Sequence, residues 1–295
     1  MKDKYKHDPS QLFNFTMGSY LERTSRPIYA IVFLLPFIVF YELGVIFSNT
    51  KLLEGSAVLV VAFVWLQKFL LSLGFSNKLA LAAPPLVVVV ILVALQLTSQ
   101  KKWSFQFRDI FPMTGECIVL AVPLIVLILF LSSSPELQNH PEHFDTSAEL
   151  IGHRAVVKCS SVAEGSGEQD DRKSLLVNII AGIGAGIYEE LVFRLILICA
   201  LMIVFQDFLR FDHNKSIILS VFISAALFSA HHHIDFLNGQ LNPQDPFNLL
   251  RFCFRSLAGI YFAALFAIRG FGITAGTHAF YNIIAVSINA GFFEH

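Results

Sequence analysis

The sequence predicts an all-α fold, a polytopic transmembrane helical bundle of about eight spans, and three observations carry that prediction. Hydrophobic residues make up 55% of the 295 and charged residues only 15%, where an ordinary soluble domain has ~25% charged. Mean hydropathy is +0.63. The apolar residues also gather into runs close to the ~20 residues that a helix needs to cross a hydrocarbon core, without the alternation of a membrane β-barrel. So little charge cannot clothe a water-facing surface, which excludes a soluble enzyme, and so apolar a chain cannot be disordered. A net charge of −1 removes the basic footprint of a nucleic-acid binder.

The runs fall at about 28–47, 56–75, 79–97, 117–131, 175–205, 216–233, 247–268 and 273–290. The fourth is short, and the fifth opens on a polar turn. The first starts too far in and lacks a small-residue cleavage site, so it reads as a span and not as a removable leader. Cys117, Cys159, Cys199 and Cys253 are widely spaced and form neither a disulfide framework nor a CxxC metal pair. Lys2, Lys4, Lys6, Arg23 and Arg26 favour a cytoplasmic N-terminus in the cell membrane. Four spans on, segment 132–174 would then also be cytoplasmic, and Lys101, Lys102 and Arg108 would fall outside. That segment is the only long polar stretch, and it divides the chain. Residues 1–131 hold an N-terminal segment and four accessory spans; 175–295 hold four spans with nearly all the intramembrane polar groups. No internal repeat is visible, which counts against an inverted-repeat transporter.

Ionisable groups inside spans are costly and normally face a protein interior. In the fifth span Glu189 and Glu190 are adjacent and Arg194 follows Glu190 by four residues. Positions i and i+4 share a helix face, so Glu190 and Arg194 can pair, while Glu189, rotated by about 100°, is left to accept a proton elsewhere. Gly182 and Gly186 form a small-residue track for a close neighbour helix. In the sixth span Phe228 and His232 share a face, with His231 and His233 pointing elsewhere. Glu189 and His232 each lie 16 residues from the loop between the two spans, about 24 Å along each helix, and so at one depth. In the eighth span His278 and Asn282 are a third i, i+4 pair, two donors aimed the same way. They can stabilise an oxyanion or simply glue helices. His278 lies only six residues past Gly272, which calls for a sunken connection between the last two spans. Glu42 and Lys68 can pair with each other or snorkel, and snorkelling is the default for Arg251 and Arg255.

Taken together, EExxxR (Glu189, Glu190, Arg194), FxxxH (Phe228, His232) and HxxxN (His278, Asn282) resemble the three motifs of the CPBP family. That family contains the CAAX prenyl proteases of the Ras-converting type and the bacteriocin-processing or immunity (Abi) proteins. Order, spacing and placement on successive spans agree, over about 175–290. The extra histidines beside His232 depart from the pattern. The resemblance implies an intramembrane glutamate protease that works without metal or other cofactor. Glu189 would activate a water that His232 helps to hold, and His278 and Asn282 would donate to the oxyanion of the tetrahedral intermediate. Glu190, Arg194 and Phe228 would support the site or bind substrate. The implied partners are the lipid bilayer and a membrane-associated protein or peptide, prenylated or not.

Three rival readings stand beside this one. A zinc enzyme could use Glu and His ligands, but HExxH is absent and the ligands would come from three helices. A non-catalytic immunity or scaffold protein could use the same residues as a polar clasp. A proton-coupled transporter also uses paired intramembrane carboxylates.

Overall fold

The computed structural model describes residues 15–16, 18–51, 61–99, 101–132, 167–236, 239–241 and 247–293. The chain is almost wholly helical. α1 (Tyr20–Thr24) and α2 (Pro27–Lys51) are followed by α3 (Val61–Ser72) and α4 (Asn77–Thr98). A 3-10 turn at Phe107–Asp109 leads into α5 (Ile110–Ser132). α6 (Gly167–Glu190) runs on without a break through a π-helical segment (Leu191–Ile198), α7 (Cys199–Ile203) and a second π segment (Val204–Phe208). α8 (His213–His233), a two-stranded ribbon of β1 (Ile234–Asp235) and β2 (Gln240–Leu241), α9 (Leu249–Arg269) and α10 (Phe271–Phe293) complete it. Each apolar run thus corresponds to a helix. Six helical stretches are long and apolar enough to cross a membrane among the described residues; α3 and the apolar part of α4 are shorter. The fourth span is longer than its hydropathy run, because the apolar helix already begins at Phe107.

Proline and glycine positions follow bilayer logic. Pro27 opens α2 where a missing N–H costs nothing. Pro36, Pro84, Pro85 and Pro123 sit inside helices, as neighbouring helices in membranes allow. Apolar side chains such as Leu86, Val90, Val119 and Phe130 stay exposed, a surface that suits lipid and not water. Between helices that lipid would wet equally well, association depends on close packing of small residues. α10 is the hub, packed against α6, α5, α2 and α9. A Cβ on Gly186 would come 2.5 Å from the backbone nitrogen of Ala279, and one on Gly182 would come 2.8 Å from the Cβ of Asn282. The small-residue track on α6 is therefore the seat of α10. Gly272 and Gly276 seat α10 in turn against Ala30 and Phe33 of α2.

A polar clamp ties the two halves together. Arg269, at the end of α9, reaches Glu116 of α5 with Nε (2.5 Å) and Nη2 (2.9 Å). It also donates to the Leu21 carbonyl (2.9 Å), Ser25 Oγ (3.1 Å) and Thr24 Oγ1 (2.8 Å) of the α1 region. Tyr20 donates to the same Glu116 carboxylate at 2.8 Å. Gly270 makes the turn into α10 at φ +76°, a left-handed value that favours glycine, and residues 271–279 are buried throughout. Ser25, just past α1, lies over this turn, its carbonyl 3.4 Å from where a Cβ on Gly270 would stand.

One expectation is overturned. Arg23 pairs with Asp109 (2.9 Å) and the Ile28 N–H donates to Gln96 Oε1 (3.0 Å). These contacts bring α1, the start of α2, the end of α4 and the start of α5 to one end of the bundle. Lys101, Lys102 and Arg108 therefore lie at the same end as Arg23 and Arg26. α5 then runs about 35 Å away, so the chain enters segment 132–174 at the opposite end from α1; most of that segment lies outside the described residues.

Candidate active site

Glu189 and Glu190 close the regular part of α6, just before the backbone widens into π geometry. Such widened turns are frequent at functional sites. Here the Phe193 carbonyl in the widened stretch takes a hydrogen bond from Ser224 Oγ of α8 at 2.7 Å. The two carboxylates face different neighbours, as the 100° rotation requires. Glu190, with 0% exposure, meets Arg194 Nε at 3.1 Å along its own helix and His278 Nδ1 of α10 at 2.8 Å. Glu189, 2% exposed, turns instead to the end of α8.

The buried Arg194 guanidinium has neighbours on three helices. Beyond Glu190, its Nη2 donates to the Gly259 carbonyl of α9 at 3.2 Å, and it lies 4.4 Å from the centroid of Phe228 and 5.7 Å from that of Phe262. Phe228 is thus the ring on which the arginine rests, and it also separates two imidazoles: its centroid is 5.5 Å from His232 and 6.3 Å from His278. His278 is stacked on Phe262 at 4.5 Å.

His231 does not point away. Its Nε2 faces Glu189 Oε1 at 3.8 Å, and its ring is packed against Phe193 (4.8 Å) and Trp65 of α3 (5.6 Å). Glu189, His231 and His232 bring ligand atoms within 4.8 Å of one another, which agrees with the shared depth of Glu189 and His232. The rule that sorts residues by helix face fails here because α8 ends at His233, so both imidazoles fan around a helix terminus. His278 and Asn282 do not converge on one point either. His278 gives its Nδ1–H to Glu190, since a carboxylate can only accept, and Asn282 donates to the Gly182 carbonyl at 2.9 Å.

Other intramembrane polar groups find partners that spacing did not suggest. Glu42 accepts from the Tyr188 hydroxyl at 3.0 Å, while Lys68 is exposed. Arg251 and Arg255 are 7% and 2% exposed, so neither snorkels into solvent; Ser229 Oγ of α8 donating to Phe252 O at 2.8 Å holds the first turns of α9 under α8. Sequence reasoning passed over Trp65, Gly259 and Phe262. A small residue midway along an arginine-bearing span was the one available signal for Gly259, where an added Cβ would come 3.0 Å from the Cα of Ala225.

Fold and site define a class: an integral multi-pass membrane protein in which carboxylates, imidazoles and an arginine from several helices are buried together. Residues 171–284 match the family model described as Rce1-like, type II CAAX prenyl endopeptidase. Over this segment the chain is similar to the CPBP family of membrane proteases, as the three motifs suggest. The first four apolar helices lie outside the match. Neither the curated proteins nor the solved structures compared with the chain gave a match.

Proposed function

We propose that this chain is an intramembrane endopeptidase in which Glu189 activates the attacking water. The single observation that carries the reading is the division of labour between the adjacent carboxylates. Glu190 is committed to Arg194 and His278, whereas Glu189 turns to the end of α8, with His231 Nε2 at 3.8 Å and a ligand nitrogen of His232 within 4.8 Å. Glu189 takes the water proton, and His232 orients that water. The tetrahedral intermediate then needs donors where charge develops. His278 is held by Glu190 through Nδ1, so a protonated ring would offer Nε2–H to the oxyanion. Asn282 donates to the Gly182 carbonyl and holds α10 against α6 beside His278. Burial among helices excludes bulk water and strengthens each of these electrostatic terms. The reaction requires no metal. The basic end that gathers Arg23, Arg26, Lys101, Lys102 and Arg108 is placed at the cytoplasm of the cell membrane, and residues 175–295 act as the catalytic unit.

The substrate is a peptide delivered from the bilayer, with a prenylated C-terminal CAAX segment as the first case to try, after the family description. The experiment compares protein termini in membranes from cells carrying wild type or Glu189→Gln, and applies both proteins to matched prenylated and unprenylated peptides. New termini that vanish with Glu189→Gln are expected, with a rate loss of about 10²–10⁴-fold. Identical termini at equal expression would defeat the protease reading.

A further inference from the structure

The three family motifs leave His231 without a task, yet it is among the best-placed groups at the site. It is 4% exposed. Its Nδ1 contacts the carbonyl of Phe228 in its own helix. A carbonyl only accepts, so a proton sits on Nδ1, and in the neutral ring Nε2 presents a lone pair. That lone pair faces a Glu189 carboxylate oxygen at 3.8 Å, and among the described residues Nε2 finds no hydrogen-bond partner. Two acceptors opposed in a buried place repel each other unless a donor such as water, or a cation, lies between them. The gap is too long for a shared proton. It suits a metal ion: ligands about 2.0–2.2 Å from zinc stand about 3.4 Å apart at a tetrahedral angle and about 4 Å apart when that angle opens. The third donor is near, since Glu189, His231 and His232 hold ligand atoms within 4.8 Å of one another, and a small side-chain rotation brings them under the about 4.4 Å that two such bonds can span. Metal-binding histidines commonly fix their free nitrogen by donating the other ring N–H to a carbonyl, as His231 does to Phe228.

The geometry points to a divalent transition-metal site on Glu189, His231 and His232, zinc by its donor set, whose occupation withdraws Glu189 from base catalysis. Two imidazoles and a carboxylate form a three-ligand zinc set with a fourth position for water. His232, at 9% exposure the most open of the three, marks the side of entry. Metal-free protein is the active form and the metal is an inhibitor. This second half rests on the glutamate-protease reading; the binding site itself does not.

The test uses full-length protein purified in detergent, stripped with a chelator and titrated with Zn²⁺ alone by calorimetry. Co²⁺ absorption reports the ligand field. Wild type should bind one ion per chain, with the visible bands of a four-coordinate site. His231→Asn should weaken binding more than about 100-fold, beyond the loss that second-shell changes cause. His213→Asn, at the far end of α8, should bind as wild type does, and unchanged elution on gel filtration with normal SDS-unfolding separates lost ligation from misfolding. Added Zn²⁺ should abolish Glu189-dependent cleavage in wild type and leave whatever rate His231→Asn retains unaffected, each protein being compared with itself before zinc. Absence of saturable binding, or equal binding by well-folded His231→Asn, overturns the site. Higher activity in the zinc-loaded form overturns the inhibitory role. If no form cleaves but one Zn²⁺ binds through His231, the protease reading fails and the site stands.

Discussion

The Glu190–Arg194 pair gives the sharpest quantitative test of how this bundle is held. Arg194→Met leaves a fully buried carboxylate with His278 as its remaining partner. Breaking a buried pair from one side costs about 3–5 kcal/mol, and losing the guanidinium above Phe228 adds up to about 2 kcal/mol. Against a total stability of about 5–15 kcal/mol, this variant is close to unfolding. Glu190→Gln keeps an acceptor for His278 Nδ1 but leaves the guanidinium with the Gly259 carbonyl and two ring faces, at about 3 kcal/mol. With both changes no uncompensated charge remains, and methionine fills the space. The double variant should therefore cost about 2–3 kcal/mol less than the sum of the singles. Unfolding by SDS in mixed micelles can be followed by fluorescence of Trp65, which packs on His231 and Phe193, in a Trp103→Phe background. Costs that add within about 0.5 kcal/mol would refute the coupling and show that the pair is incidental to stability.

Two further outcomes follow from particular contacts. Gly186→Ala places a Cβ 2.5 Å from the backbone of Ala279, so α6 and α10 must separate; about 1–3 kcal/mol of overpacking strain is expected, with cleavage lost before the fold, measured as activity beside SDS-unfolding of one preparation. At α1, burial pushes the Glu22 carboxyl up, but Arg26 and the Gly18 N–H outweigh it and hold the group below its ordinary 4.5. A depressed folded value means that this stabilisation is complete above 4.5 and fades as pH falls through the lower folded value. Hydrogen exchange of α1 should thus rise below pH 4.5 in wild type, and Glu22→Gln should already show the faster exchange at neutral pH.

What could be read in advance follows the helical period. Glu190 and Arg194 share a face by arithmetic, Glu189 turns away by the same arithmetic, and the track of Gly182 and Gly186 needs only the knowledge that bilayers reward close approach. Span counting was less secure where hydropathy stands in for length. Contacts between distant parts of the chain, Arg23 with Asp109 and the Ile28 N–H with Gln96, decide which end of the bundle carries Lys101, Lys102 and Arg108. His231 was misplaced because face arithmetic assumes a helix that continues, whereas α8 stops at His233.

By itself, then, the sequence determined residence in the membrane, the helical class, the approximate helices and the scarce polar residues on which chemistry depends. These follow from composition and from a repeat of 3.6 residues, both local properties of a chain. The tertiary structure alone decided that Glu190 is spent on Arg194 and His278, that two imidazoles and not one meet Glu189, and that Arg251 and Arg255 are buried. It also decided that Arg269 clamps α1 to Glu116. Each depends on the distance and rotation between helices far apart in the chain, set by where small residues let backbones approach, and no local spacing encodes that.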